Sequence, residues 1–308
     1  MLRRRFPGIF AFYKRWVRRH IARGDPHYAI ASWVNVGLAL RQRLALADVC
    51  FDRDGVWFVD GRGLQWQFDP GIWGSALGAA TGGVHESAEL DAVCQRLDRS
   101  SVVVDVGANI GAFAIPVTKA TGARVIAIEP VSSTFALLVA NIARNGAGDF
   151  VTTVHSAIGD AAGNAVMTTD AQSANHVLVR QTTARVGEER IAVTTLDRLL
   201  AREPRIDLIK VDVEGLELKV LLGARKTLED HAPTVLLEIE SRWTTRYGYQ
   251  PQDIFDFMTD AGYAYQTMNA NGARQSTSIE SDLREANNFL FTSTRSGRAD
   301  ESQRSPAG

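Results

Sequence analysis

From Val102 to Pro116 the chain reads VVVDVGANIGAFAIP. A short apolar run ends in a carboxylate, two glycines follow with three residues between them, and helix-forming sequence begins. A run that keeps apolar residues on both sides suits a strand buried on both faces, not one with a wet side. The rhythm then repeats. Strands are expected at Val102–Val106, Arg124–Glu129, Val151–His155, Ile206–Val211 and Thr234–Ile239. ANIGAFAIPVTKATG, SSTFALLVANIARNG and ELKVLLGARKTLEDH, which lie among them, carry helical periodicity. Strands alternating with helices imply a parallel sheet covered on both faces.

Around this α/β unit the pattern changes. VCFDRDGVWFVDGRGLQWQFDP alternates apolar and polar residues about the turns Asp54-Gly55 and Gly61-Arg62-Gly63, which predicts an antiparallel hairpin or meander. NHVLVR and ERIAVTTLDRLL predict an added hairpin between the third and fourth main strands. After Glu240 come a helix, PQDIFDFMTDAGY, and two strands, AYQTMN and NNFLFTS. With no helix expected between those two, they read as an antiparallel hairpin at the sheet edge. The organisation expected is an N-terminal helical and β-hairpin extension over residues 1–85, the main domain over 86–295, and a polar, disordered tail over 296–308.

Charge and composition narrow the partners. Lys plus Arg (34) nearly cancels Asp plus Glu (35), which argues against a nucleic-acid binder held by global charge. Cys50 and Cys94 lack metal-ligand spacing and suit two buried small side chains in a reducing, cytoplasmic compartment. No stretch reaches the ~18 apolar residues a spanning helix needs. YAIASWVNVGLAL, from Tyr28 to Leu40, is short and interrupted. The first 25 residues carry eight Arg and Lys against Asp25, with Phe6, Ile9, Phe10, Tyr13, Val17 and Ile21 near helical spacing. Such a basic amphipathic helix can touch an anionic membrane surface; the alternative is an ordinary helix capping the domain.

In open α/β sheets the ligand sits beyond the strand C-termini where strand order reverses, so the first glycine turn is the place to look. A dinucleotide fingerprint is G-x-G-x-x-G. Here Asn109 stands where its middle glycine would be, and Asp105 ends the strand where a phosphate would be repelled. A carboxylate there suits a cationic group such as the amine of a methionyl moiety. S-adenosylmethionine has that amine and no phosphate. RVIAIEP ends the next strand in Glu129, placed to accept hydrogen bonds from ribose hydroxyls, a feature that nicotinamide sites share.

Read in order, VVDVGANIG, AIEP, NIARNG, SAIGD, TTLDRLL, IDLIKVDVEGLELKVLLGA and PTVLLEIE resemble the FkbM family of S-adenosylmethionine-dependent methyltransferases, over roughly Glu86 to Ser293. The resemblance implies a Rossmann-like class I methyltransferase fold, with a seven-stranded, mostly parallel sheet whose last strand is antiparallel. It implies methylation of hydroxyls on sugars, glycans, polyketides or other secondary metabolites. It also implies that Asp105, Gly107, Ala108, Asn109 and Gly111 wall the methionyl part and ribose, and that Glu129 holds the ribose hydroxyls with Pro130 turning the chain. Ser156, Ala157 and Ile158 would lie at the adenine edge. Asn141 and Asn145, four apart on one helix, are candidates to brace the loop near the adenosine; Asn145-Gly146 also reads as a helix C-cap.

Methyl transfer to an alcohol needs an aligned oxygen and a group to take its proton. KVDVEGLE puts Lys210 and Asp212 on one strand face, with Glu214 beyond the strand end and Glu217 at the helix start, where it also complements the helix dipole. LLEIES adds Glu238 and Glu240. Carboxylates so crowded need a raised pKa or a balancing charge: Lys210, Arg242 or a divalent cation. Asp212 is the first candidate base, Glu214 the second and His155 the third. The Asn/Asp-Pro-Pro-aromatic turn of amino-methylating nucleic-acid enzymes is replaced by DVEG. SRWTTRYGYQP, from Ser241 to Pro251, is expected to wall the acceptor pocket. The alternatives to an O-methyltransferase are methylation of nitrogen or a protein, and a nicotinamide-dependent oxidoreductase.

Overall fold

Strand register sorts the side chains into two buried layers. The computed structural model describes residues 48–53, 55–69, 79, 86–169, 177, 187–269, 272–276 and 278–295. The basic N-terminal segment, Tyr28–Leu40, the polar tail and all of NHVLVR except Val177 lie outside them. A meander of three antiparallel strands comes first: β1 (Asp48–Asp52), β2 (Gly55–Val59) and β3 (Gln65–Gln67). Then follow α1 (Glu86–Cys94), β4 (Val102–Val106), α2 (Ala114–Thr121), β5 (Arg124–Ile128), α3 (Ser132–Arg144) and β6 (Val151–Val154). A second small sheet holds β7 (Ala157–Ile158), β8 (Gly163–Thr168) and β9 (Glu188–Thr194). The chain continues through α4 (Leu196–Leu199), β10 (Leu208–Val211), α5 (Glu217–Leu222), α6 (Arg225–His231) and β11 (Thr234–Glu238). It ends with α7 (Ser241–Thr244), α8 (Pro251–Asp260), β12 (Tyr263–Asn269), β13 (Gly272–Gln275), α9 (Ile279–Glu285) and β14 (Asn288–Ser293).

The main sheet runs β13-β12-β14-β11-β10-β4-β5-β6. From β11 to β6 all pairings are parallel, and β14 enters antiparallel between β11 and β12. Alternate residues of one strand go to opposite layers. Val103, Val125 and Leu208 pack with Ile115, Leu138 and Ile142 of α2 and α3, a layer that also takes Phe58, Leu64 and Trp66 from the meander. Val104, Ile126, Ile209 and Val235 pack with Val220, Leu228, Ile254 and Phe255 on the other face. Burial on both faces explains the unbroken apolar runs, each large side chain contributing about 1.5–3 kcal/mol.

This is the mostly parallel, class I methyltransferase arrangement, with four differences from the sequence expectation. The sheet has eight strands where seven were expected, because β13 hairpins onto β12 at the edge. β12 and β14 do pair antiparallel, but β13 and α9 lie between them; Ser278 caps α9 by accepting the Ser281 N–H. The inserted hairpin joins β9 to β8, so its first arm is GNAVMT; Val177 of NHVLVR bridges to Met167. ELKVLLGARKTLEDH is two helices, parted at Gly223, where an added Cβ would lie 2.1 Å from the Gly159 carbonyl oxygen. Cys50 and Cys94 are free thiols, half-buried and not fully enclosed. Among the described residues no helix is long and apolar enough to cross a membrane.

The chain leaves β4 toward β5 and β6, then returns to β10 on the other side of β4. The order reverses between β4 and β10, and a crevice opens at their C-terminal ends.

Candidate active site

Two turns meet at that reversal. Gly107 and Ala108, just after β4, donate their N–H groups to the Ile128 carbonyl of β5, at 3.0 and 2.9 Å. Gly107 has φ +83°, and an added Cβ would sit 1.9 Å from the Asp212 carbonyl oxygen. Glycine is therefore demanded here by the turn after β10. Asn109 is also left-handed, at φ 52°, a region asparagine tolerates better than most residues. Its N–H donates to Glu129 Oε2 at 3.0 Å, and the Val131 N–H donates to Oε1 at 3.0 Å. Both oxygens of Glu129 are thereby fixed at the end of β5. Burial lifts this carboxyl to about 7, the two N–H groups pull it down, and the charges of Asp105 and Asp212 add to the rise.

A cavity opens over these turns. Of the residues expected from sequence, Gly107, Asn109, Glu129, Pro130, Ser156, Ala157, Ile158, Asp212 and Glu214 line it. Four others lie elsewhere. Asp105 is wholly buried, with Lys210 Nζ 4.0 Å away. Ala108 belongs to the core. At Gly111 an added Cβ would meet Ile115 and Leu138 methyls at 2.9 and 3.0 Å, so this glycine serves the packing of the turn on α2 and α3. His155 is exposed and stacks on Phe135, ring centroids 4.5 Å apart. The wall also includes Thr134, Met167, Val177 and Leu216, which sequence reasoning did not single out. Thr134 was within reach of it, since it lies in the first turn of the helix that follows Glu129.

A smaller hollow of about 170 Å³ shares Asp212 and Glu214 as walls and adds Glu217, Glu238, Glu240 and Trp243. Lys210 Nζ lies 3.1 Å from Asp212. Burial disfavours its charge, but Asp212, Asp105 and Glu238 outweigh that and hold the ammonium above its ordinary pKa. Asp212 and then burial push the Glu238 carboxyl up. Glu214, at φ 51°, is raised to about 8 by burial, with Asp212 and Glu240 adding to it. Glu240 pairs with Arg242. Glu217 does stand in the first turn of α5, but its Oε1 accepts the Gly215 N–H at 2.9 Å and burial lifts it to about 7. Among the described residues no group of three or more His, Cys, Asp and Glu side chains is arranged to hold a metal ion.

The segment after β11 is anchored to the same turn. An added Cβ at Gly215 would lie 2.7 Å from the Trp243 Cβ. Tyr249 donates its hydroxyl to the Gly215 carbonyl at 2.6 Å, and Tyr247 reaches the Val177 carbonyl at 2.9 Å. Of the aromatic residues in SRWTTRYGYQP, Trp243 forms part of the hollow's wall.

A crevice at the strand-order reversal, a glycine turn and an acidic second strand end are thus assembled as one site. Residues 105–265 match a family model described as the methyltransferase FkbM domain. The chain belongs to the FkbM methyltransferase family. Among solved structures it is similar to a methyltransferase FkbM from Methylobacillus flagellatus, at 20% identity and a TM-score of 0.43, covering 64% of this chain and 44% of that one. It is also similar to an O-methyltransferase from Bacillus cereus in complex with SAH, at 12% identity and a TM-score of 0.42, covering 72% and 90%. An rRNA methylase from Streptococcus thermophilus matches at 12% identity and a TM-score of 0.41, covering 67% and 93%. The chain thus spans less than half the length of the Methylobacillus protein. No curated protein matches it.

In this FkbM methyltransferase the two helix asparagines join the meander to the glycine turn. Asn141 donates to the Ile110 carbonyl at 2.9 Å and accepts the Gln67 N–H at 2.8 Å. Asn145 accepts the Gln65 N–H at 2.9 Å and donates to its carbonyl at 2.8 Å. Two amides one helical turn apart pair with β3 as a neighbouring strand would. Asn145 is also the C-cap of α3. Asn141 reaches both partners at once, so it braces the loop through its main chain.

Proposed function

We propose that this methyltransferase acts on a hydroxyl group of a sugar, glycan or other secondary metabolite. The observation that carries the reading is the junction of two spaces: a cavity over the glycine turn and the end of β5, and beside it, across Asp212 and Glu214, a hollow walled by carboxylates. Donor and acceptor then lie on either side of a proton-accepting group. S-adenosylmethionine, when bound, supplies a methyl group activated by a positively charged sulfur. Glu129, pre-ordered by two backbone N–H groups, is assigned to the ribose hydroxyls. Pro130, Ala157 and Ile158 give the adenine an apolar wall. Gly107 and Asn109 bound the methionyl end, and Asp105 contributes through its charge from beneath the turn.

Asp212 is assigned the acceptor's proton, and Lys210 at 3.1 Å fixes its orientation. Glu214, lifted to about 8, keeps a proton at neutral pH and suits a hydrogen-bond donor to the acceptor. His155 is left out of the assignment because its ring stacks on Phe135 away from the cavity wall. The test is formation of S-adenosylhomocysteine with a panel of hydroxylated and amino acceptors. Turnover on hydroxyls, cut about 10²- to 10⁴-fold in Asp212→Asn while S-adenosylhomocysteine affinity changes little, supports the reading. Methylation of amines alone, or near-normal turnover by the variant, overturns it.

A further inference from the structure

The cavity wall contains two side-chain hydroxyls with opposite circumstances. Ser156 Oγ is committed to the protein, donating to the Ala192 carbonyl at 3.1 Å and lying 3.0 Å from that of Ala157. Thr134 is 3% exposed, and its Oγ1 is buried with no hydrogen-bond partner. A threonine inside a helix ordinarily bonds back to the carbonyl four residues earlier. Here that residue is Pro130, and no such bond forms. Valine would fill the same volume without burying a polar atom. Thr134 lines the cavity while its hydroxyl is buried at that wall and unsatisfied in the free protein, so a polar ligand atom seated against the wall would supply the partner it lacks.

Its surroundings indicate which part of the ligand. Thr134 shares the wall with Glu129, Pro130 and Val131, the bend that follows β5. Asn109 Oδ1, whose backbone N–H holds Glu129, is a second buried polar atom without a partner in the same wall. Resting on the cofactor assignment above, we propose that Thr134 Oγ1 hydrogen-bonds the nucleoside part of S-adenosylmethionine and helps select it. The hydroxyl can donate or accept, so it suits a polar atom of the purine or the ribose.

The experiment uses the full chain, with S-adenosylhomocysteine and 5′-methylthioadenosine, which lacks the amino-acid end, as calorimetric probes. Thr134→Val should weaken both ligands by a similar factor of about 3- to 10-fold, and Thr134→Ser should restore them. The ligand-free melting temperature of Thr134→Val should equal or exceed that of the wild type, because no internal bond is lost. Unchanged affinity in Thr134→Val, a loss confined to S-adenosylhomocysteine, or a lowered melting temperature overturns the contact. A folded wild type that binds neither probe overturns the cofactor assignment itself, a result distinct from any variant effect.

Discussion

Acid should weaken cofactor binding through Glu129. Burial, aided by Asp105 and Asp212, lifts its carboxyl from 4.5 to about 7 in the ligand-free protein. Ribose hydroxyls donate best to the ionised form, so binding selects the deprotonated state. With that midpoint, roughly nine-tenths of the carboxyl is ionised near pH 8 and roughly one-tenth near pH 6. Affinity for S-adenosylhomocysteine should therefore fall about 10-fold across that interval, with close to one proton released on binding at the acid end. Calorimetry in two buffers of different ionisation enthalpy reads both quantities. Glu217 and Glu214 titrate in a similar range, so the variant is the decisive control. Glu129→Gln turns one acceptor oxygen into an NH₂ facing a backbone N–H, and should bind about 10- to 100-fold more weakly with no pH dependence. A flat wild-type profile, or an undiminished acid loss in Glu129→Gln, would refute the reasoning.

The ligand-free protein should lose thermal stability as pH rises from about 5 to 8, because Glu129, Glu217 and Glu214 hold protons more tightly folded than unfolded; a rising melting temperature over that range would contradict it. Gly107→Ala forces a Cβ to 1.9 Å from the Asp212 carbonyl oxygen, and should cost about 2–4 kcal/mol in denaturant unfolding and abolish cofactor binding. Asn141→Leu removes the bonds to Ile110 and Gln67; the Gln67 amide should exchange hydrogen faster, with about 2–4 kcal/mol lost. Deleting Met1–Arg23 should leave S-adenosylhomocysteine affinity intact. If those residues touch anionic lipid, vesicle co-sedimentation should fall with the deletion and with added salt.

The repeating part of this protein was legible in the chain because it is local. β4 spans the predicted Val102–Val106, and β5, β6, β10 and β11 differ from prediction by one or two residues at an end. Glu129 stands out by its spacing from the glycine turn, and Asp212 and Glu214 by their place after a buried strand. What each residue touches was decided by sheet register. The two motif glycines look alike in sequence, yet Gly107 admits the Asp212 carbonyl, 105 residues away, while Gly111 admits Ile115 and Leu138. Asp105 and Lys210 are register partners on β4 and β10, which puts a lysine of the same sheet beside the carboxylate expected to meet the methionyl amine. β13, the break at Gly223 and the solitary hydroxyl of Thr134 left no such trace. Each depends on what another segment brings alongside, and periodicity in one segment records its own faces but not the identity of the neighbours packed against them.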